Sequence, residues 1–439
     1  MIKVVKFGGS SLASADQFAK VGNIIHADEA RKFVVPSAPG KRNSKDTKVT
    51  DMLYACYDLV EKDQDFSVQF RKIKERYNSI INGLNLKFSL DDEFKKISED
   101  FKNKAGADYA ASRGEYLNGI IMAKYLGYEF IDSAEVIFFD KDGEFDPEKT
   151  NDVLSKRLKK AGKAVIPGFY GSNPDGSIRT FSRGGSDITG SIVSRAVQAD
   201  VYENWTDVSG FLVADPRIID NPEVIKTITY RELRELSYMG AGVLHEDAVF
   251  PVRKAGIPIN IRNTNAPEDE GTWIVESTCH QSKYTITGIA GKKGFVSVNI
   301  DKDMMNSEIG FGRKVLSAFE ENEISFEHMP SGIDTMTIFV HQAEFEGKEQ
   351  QVISAIHRLA QPDSIELEAN LALIAVVGRG MKSARGTAGR IFSALAHANI
   401  NVKMIDQGSS ELNIIIGVSN DDFENAIRAI YDIFVITQL

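Results

Sequence analysis

The 439-residue chain carries 52 Lys and Arg against 62 Asp and Glu, a formal charge of -10 with a pI near 5.4; this acidic balance argues against nucleic acid as its main partner, which calls for a basic face. Cys56 and Cys279 are the only cysteines, too few for a disulfide framework or a cysteine-based zinc cluster. No run of about 18 apolar residues occurs, so a cytoplasmic chain with no membrane partner is expected, with room for two to four domains at about 100 to 200 residues each.

The first element, Lys3 to Phe7, reads as a short buried strand running into the turn Gly8-Gly9-Ser10-Ser11, with Lys6 at the strand end. Helical spacing resumes at Phe18, Val21, Ile24 and Ile25, with Ser14 and Gln17 spaced as a capping box. The lysine precedes the glycines and no third glycine follows, so neither the phosphate-loop nor the dinucleotide pattern applies. Tyr57 to Lys104 is helix-rich and charged, a scaffold flanking the site. Strand-like runs at 32–35, 130–131, 164–166, 201–205 and 257–261 alternate with helical patterns. That alternation predicts a mainly parallel sheet with helices on both faces, a three-layer α/β/α domain whose ligands gather at the carboxyl ends of the strands.

Phe181-Ser182-Arg183-Gly184-Gly185-Ser186-Asp187 is the most informative stretch. After it, Ile188, Ile192, Val193, Ala196 and Val197 recur at helical spacing, with Ser186 or Asp187 as the expected N-cap. The glycines therefore sit at a helix start, where free N–H groups attract an anion. An ordinary capped glycine turn would look similar, but Arg183 adds a guanidinium suited to gripping a carboxylate or phosphate.

A short polar stretch, Ser277 to Thr285, divides the chain. Beyond it Val315 to Ile324 aligns without a gap with Ile391 to Ile400, and the same offset pairs Ile338-Phe339-Val340 with Ile414-Ile415-Ile416. Each copy reads strand, helix, strand, strand, helix, as in 295–300, 312–322, 324–329, 335–340 and 348–359. The expected division is 1–280, 285–369 and 370–439.

Lys6-Phe7-Gly8-Gly9-Ser10-Ser11, Ser112-Arg113-Gly114-Glu115, Pro167-Gly168-Phe169-Tyr170-Gly171, Arg183-Gly184-Gly185-Ser186-Asp187, Thr206-Asp207-Val208-Ser209-Gly210 and Ala214-Asp215-Pro216-Arg217 occur in the order found in aspartokinases of the amino-acid kinase superfamily. The chain resembles that family over essentially its whole length, and the repeats resemble tandem ACT domains of ferredoxin-like α+β fold. The resemblance implies transfer of the ATP γ-phosphoryl group to the β-carboxylate of L-aspartate, with Mg²⁺ on the phosphate oxygens and no assignable protein metal ligand. By resemblance Lys6 lies along the transferring group, Asp187 orients Lys6 and the substrate, Arg183 binds the α-carboxylate of aspartate and Glu115 its ammonium. Thr50, Phe169 and Gly184 are further substrate contacts. Lys6, Gly8, Gly9, Ser10, Thr206, Asp207 and Arg217 face ATP.

The resemblance also implies feedback control through the first repeat. An effector site of Met305, Ser307, Phe326, Glu327, Gly332, Ile333 and Asp334 would take lysine, with Glu327 or Asp334 neutralising its second ammonium and threonine as the alternative or co-effector. A homodimer, or a dimer of dimers, through the ACT domains is expected. Two positions depart from the family pattern. Gly240-Ala241-Gly242-Val243-Leu244-His245 has glycine where relatives place a phosphate-contacting cation, and Pro36-Ser37-Ala38-Pro39-Gly40 carries two prolines that leave the role of Ser37 open. The competing readings are another superfamily kinase, acting on glutamate, carbamate or a nucleoside monophosphate, and a non-catalytic amino-acid-binding regulator.

Overall fold

The computed structural model describes residues 1–182, 184–241, 244, 246–278 and 284–437. Two compact units divide the chain: Met1–Phe211, Val224–Tyr230 and Val243–Thr278 form one, and Leu212–Glu223, Arg231–Gly242 and Cys279–Leu439 the other. Among the described residues no helix is long and apolar enough to cross a membrane.

The strands of the first unit are β1 (Lys3–Phe7), β2 (Arg31–Pro36), β3 (Glu129–Phe130), β4 (Ala164–Val165), β5 (Tyr170–Ser172), β6 (Ile178–Thr180), β7 (Val201–Thr206), β8 (Thr227–Thr229), β9 (Ile259–Asn263) and β10 (Thr272–Val275). Eight of them form one sheet in the order β3-β4-β2-β1-β7-β9-β10-β8, while β5 and β6 make a separate hairpin. Every pairing in the large sheet is parallel except β9 with β10. Successive side chains of a strand point to opposite faces. Val5 and Phe7 of β1 accordingly enter a core with α1 (Ala15–His26), α2 (Val49–Glu61), α3 (Ser67–Gly83), α4 (Asp91–Lys102) and α5 (Ala107–Leu126). Lys6 turns to the other face, where α7 lies. Phe18, Tyr77, Phe94 and Phe101 are fully enclosed in that core, each worth about 1.5 to 3 kcal/mol of burial.

Ser14 caps α1 through its Oγ, which accepts from the Gln17 N–H at 3.4 Å. The Gln17 side chain instead donates to Asn265 at 3.2 Å, so only half of the expected capping box forms. The remaining helices here are α6 (Pro147–Ala161), α7 (Gly185–Ala196), α8 (Tyr230–Tyr238), whose residues after Tyr230 belong to the second unit, and α9 (Glu246–Lys254).

The second unit is built on β11 (Gly288–Asp301), β12 (Phe326–His328), β13 (Thr335–His341), β14 (Ser364–Val377), β15 (Met404–Asp406) and β16 (Asn413–Ser419), one antiparallel sheet in the order β12-β13-β11-β14-β16-β15. Its helices are α10 (Phe311–Glu320), α11 (Gln342–Phe345), α12 (Glu349–Ala360), α13 (Thr387–His397) and α14 (Phe423–Tyr431). The two repeats share β11 and β14: β13 lies along the second half of β11, and β16 along the second half of β14. Val296, Val298 and Ile300 alternate inward against Phe311, Val315 and Phe319 of α10.

Candidate active site

Lys6 and Thr206 lie at the carboxyl ends of the parallel strands β1 and β7. Lys6, next to last in β1, is 8% exposed, and its Nζ contacts Asp187 Oδ1 at 2.6 Å. Asn204 of β7, which pairs directly with Lys6 in the strand register, completes a triangle. Its Nδ2 donates to the same Asp187 oxygen at 2.7 Å, and its Oδ1 accepts from Lys6 Nζ at 3.4 Å. Asp187 arrives through the start of α7. The residue capping that helix is Gly184, at φ +61°, and not Ser186 or Asp187 as the spacing predicts. With glycine absorbing the left-handed turn, both side chains fall in the first helical turn, and Asp187 is released from capping to reach Lys6.

The loops around this pair approach one another closely. Gly8 N donates to Trp205 O at 3.0 Å, Gly40 N to Gly9 O at 2.8 Å and Ser37 N to Phe7 O at 3.1 Å. A Cβ on Gly9 would lie 2.9 Å from Ala38 O, and one on Gly40 2.6 Å from Gly9 C, so these two turns can stack only as glycines. Ser10 opens a short 3-10 turn behind them. Phe169 adopts φ +82°, a backbone state costing a bulky residue about 1 to 3 kcal/mol. Its N–H donates to Thr189 Oγ1 at 3.0 Å, and its ring packs where a Cβ on Gly185 would sit only 2.4 Å from Cδ2. The strained phenylalanine and the start of α7 are thus fitted to each other.

Glu115 on α5 forms the second focus. It is 5% exposed and accepts from the Ala38 backbone N–H, yet burial outweighs that bond and pushes its pKa up to about 8. Its Oε2 has no hydrogen-bond partner among the described residues, and neither has Oδ1 of Asn118 one turn further on. Asn118 Nδ2 donates to Ser37 O at 2.6 Å, so both side chains face the 37–38 loop. Gly114 lets that loop close in, since a Cβ there would be 2.8 Å from Ala38 Cβ and 3.8 Å from Thr50 Oγ1. Thr50 is therefore brought to the Glu115 cluster. Arg113, the neighbour of Glu115, is enclosed instead, its guanidinium 4.4 Å from the Tyr116 ring centre, 4.5 Å from that of Tyr109 and 5.4 Å from that of Tyr170.

Thr206 ends β7, with its Oγ1 donating to the exposed Asp207 at 3.2 Å. Arg217 belongs to the second unit and is spent on Asp215, Nη2 to Oδ2 at 2.6 Å, with its side chain 86% exposed. Arg183 and the departure at Gly242 lie outside the described residues, as do Val243 and His245. Among the described residues no group of three His, Cys, Asp or Glu is placed to hold a metal. Asn204 joins the Lys6–Asp187 contact without any motif pointing to it; the available signal is one amide within the otherwise strand-like run Val201 to Thr206.

In the second unit the 302–308 loop folds onto the 332–335 turn. Met304 N donates to Asp334 Oδ1 at 3.0 Å, Asn306 N to Ile333 O at 3.1 Å and Gly332 N to Thr335 O at 2.7 Å. Met305, Ser307, Gly332, Ile333 and Asp334 thus come together, and Gly332 borders a groove of about 610 Å³ with Ser297, Asn299, Thr337 and Lys403. Phe326 and Glu327 lie elsewhere. Phe326 pairs with Val340, six residues along the strand from Asp334, or about 20 Å. Glu327 meets His341 Nε2 at 3.1 Å and the hydroxyl of Tyr238.

The profile of the Amino acid kinase family matches residues 1–263, and that of the ACT domain matches residues 374–434. The chain is 41% identical over 449 residues to Aspartokinase 3 of Bacillus subtilis (strain 168), covering 99% of this chain and 98% of that one. It is similar to the crystal structure of Clostridium acetobutylicum aspartate kinase at a TM-score of 0.91 and 53% identity, over 99% of both chains. E. coli aspartokinase III in complex with aspartate and ADP shares the fold, with a TM-score of 0.74 at 23% identity over 99% of each chain. With a family profile spanning more than half of it and a full-length relative at this identity, the chain belongs to the amino acid kinase family and is an aspartokinase carrying an ACT regulatory domain.

Proposed function

We propose that the crevice at the ends of β1, β2, β4 and β7 transfers the γ-phosphoryl group of ATP to the β-carboxylate of L-aspartate, yielding ADP and 4-phospho-L-aspartate. The observation that carries this is the presence of a buried, oriented lysine together with a separate buried carboxyl group, Glu115, whose Oε2 has no partner among the described residues. The nucleophile is already ionised at neutral pH, so no strong base is needed and catalysis rests on positioning and charge neutralisation. A carboxylate oxygen forms the new P–O bond as the bond to the ADP oxygen breaks, and the negative charge passes to ADP. Lys6 stabilises charge on the equatorial oxygens, while Asp187 holds Lys6. Glu115 receives the substrate ammonium, Arg183 its α-carboxylate, and Thr50, Phe169 and Gly184 frame the rest. Gly8, Gly9 and Ser10 admit the phosphates at backbone distance, with Thr206 and Asp207 on the nucleotide side. Among the described residues no acidic cluster is placed to cage a divalent ion; Mg²⁺ brought in with the nucleotide would neutralise phosphate charge. Trapping with hydroxylamine tests the product: an acyl phosphate gives hydroxamate in step with ADP, and ADP without hydroxamate would contradict it.

The 1–280 segment serves catalysis and 285–369 and 370–439 regulation, with the reaction opening lysine, threonine and methionine synthesis. Lysine is the proposed inhibitor, with threonine as the alternative or co-effector. A lysine is far shorter than about 20 Å, so Asp334 and Glu327 can serve one molecule only where the first repeats of two subunits meet, which supports a dimer. Lysine must then favour a less active arrangement by about 1 to 3 kcal/mol. Inhibition curves are expected to shift to about tenfold higher lysine in Asp334→Ala and in Glu327→Ala. An enzyme indifferent to lysine, or unchanged curves in both variants, would remove this site.

A further inference from the structure

Asn204 is 2% exposed in a strand whose neighbours Tyr202 and Trp205 are core residues. A buried amide is destabilising unless its donor and acceptor are both engaged, and here both ends are engaged by the site itself. Nδ2 reaches Asp187 Oδ1 and Oδ1 reaches Lys6 Nζ. Among the described residues the charged groups bonded to the amide are Lys6 from β1 and Asp187 from α7; from β9 it is flanked by Ile261. Tyr202 adds a hydroxyl that donates to the carbonyl of Asp187 at 3.1 Å.

We propose that Asn204 is a positioning residue of the phosphoryl-transfer site, one that fixes the direction of the Lys6 ammonium by locking Lys6 and Asp187 into a single triangle; the role rests on the function proposed for Lys6. An ammonium has three donors. Asp187 takes one and Asn204 another, which leaves the third aimed into the crevice at the transferring oxygens. Without the amide the lysine keeps its carboxylate but gains freedom to rotate around it. The polarity of the triangle also matters: the group at position 204 must donate to Asp187 and accept from Lys6 at the same time. A neutral carboxyl does both, an ionised one cannot donate, and leucine does neither.

The experiment compares wild type, Lys6→Ala, Asn204→Leu and Asn204→Asp by steady-state kinetics from pH 6 to 8.5, with thermal unfolding of each. Asn204→Leu is expected to lose about tenfold in kcat while KM for aspartate and ATP stays within about twofold. Relative to wild type, Asn204→Asp is expected to be most active at pH 6 and to decline by several-fold toward pH 8.5 as the introduced carboxyl ionises beside Asp187. That ratio is read within one folded sample, so it decides the matter even if Asn204→Leu fails to fold. A kcat in Asn204→Leu within twofold of wild type, or a flat Asn204→Asp ratio, overturns the proposal while a slow Lys6→Ala leaves the active-site reading standing. Undiminished turnover in Lys6→Ala sinks both.

Discussion

Replacing Lys6 with alanine is expected to lower turnover by about two orders of magnitude or more, the scale of removing one preorganised stabiliser of developing charge. The side chain is held before any ligand arrives: Asp187 lies at 2.6 Å and Asn204 at 3.4 Å, so little reorganisation accompanies reaction. Asp187→Ala is expected to lose a comparable factor by a different route. It leaves a lysine that is only 8% exposed without its counter-charge, and an unpaired buried charge is strongly unfavourable. The two losses should not add, because each variant already destroys the same unit. Measured kcat of the single and double variants checks this, with circular dichroism to confirm folding; a Lys6→Ala enzyme that is folded and near wild type would defeat the assignment.

Aspartate binding at pH 7 is expected to release protons, up to one per site. With Glu115 pushed up to about 8, the protonated form predominates at pH 7 before substrate binds. Bringing an ammonium against Oε2 favours the ionised form and expels that proton. Calorimetry in two buffers of different ionisation enthalpy reads the release directly, and Glu115→Gln should abolish it while raising KM for aspartate about 10- to 100-fold, the span expected for one hydrogen bond to a charged group. The same group acts on stability in the opposite sense to an ordinary salt-bridged carboxylate. Its folded pKa lies above its unfolded value, so the ligand-free fold loses stability as pH rises from about 4.5 to about 8 and the penalty is complete above that window. Saturating aspartate should flatten this slope. Proton uptake, or no exchange at all, would mean that Glu115 does not meet the ammonium.

The strand-helix alternation was legible because buried parallel strands read as apolar runs, and β1, β2, β7 and the 76-residue offset between repeats stand out on pattern alone. What pattern cannot show is which side chain lies beside which across a sheet. Asn204 follows Lys6 by 198 positions and becomes part of the site only through the β1–β7 register. Gly184 was legible as a glycine but not as a cap, because the choice depends on a left-handed φ that serine at the next positions resembles in spacing alone. The helical stretch read as scaffold turns out to touch the site: Arg76 of α3 donates to Gly40 O at 2.6 Å and to Asp46 at 2.7 Å, steadying the loop that stacks on Gly9. Segments 212–223 and 231–242 belong to the second unit although they lie between strands of the first, an exchange visible only in three dimensions. Likewise the 305–310 loop and the 331–334 turn, named together on chemical grounds, lie side by side through Asn306 N to Ile333 O, but the length of β13 separates them from Glu327.

The central claim is that Lys6, Asp187 and Glu115 form an aspartate-selective phosphoryl-transfer site. ADP release followed by a coupled assay, with L-aspartate and then L-glutamate as acceptor, tests it most directly. The account predicts release with aspartate and none above background with glutamate, whose extra methylene carries its carboxylate past the line set by Glu115 and Lys6; equal release with both, or release with neither, would contradict it.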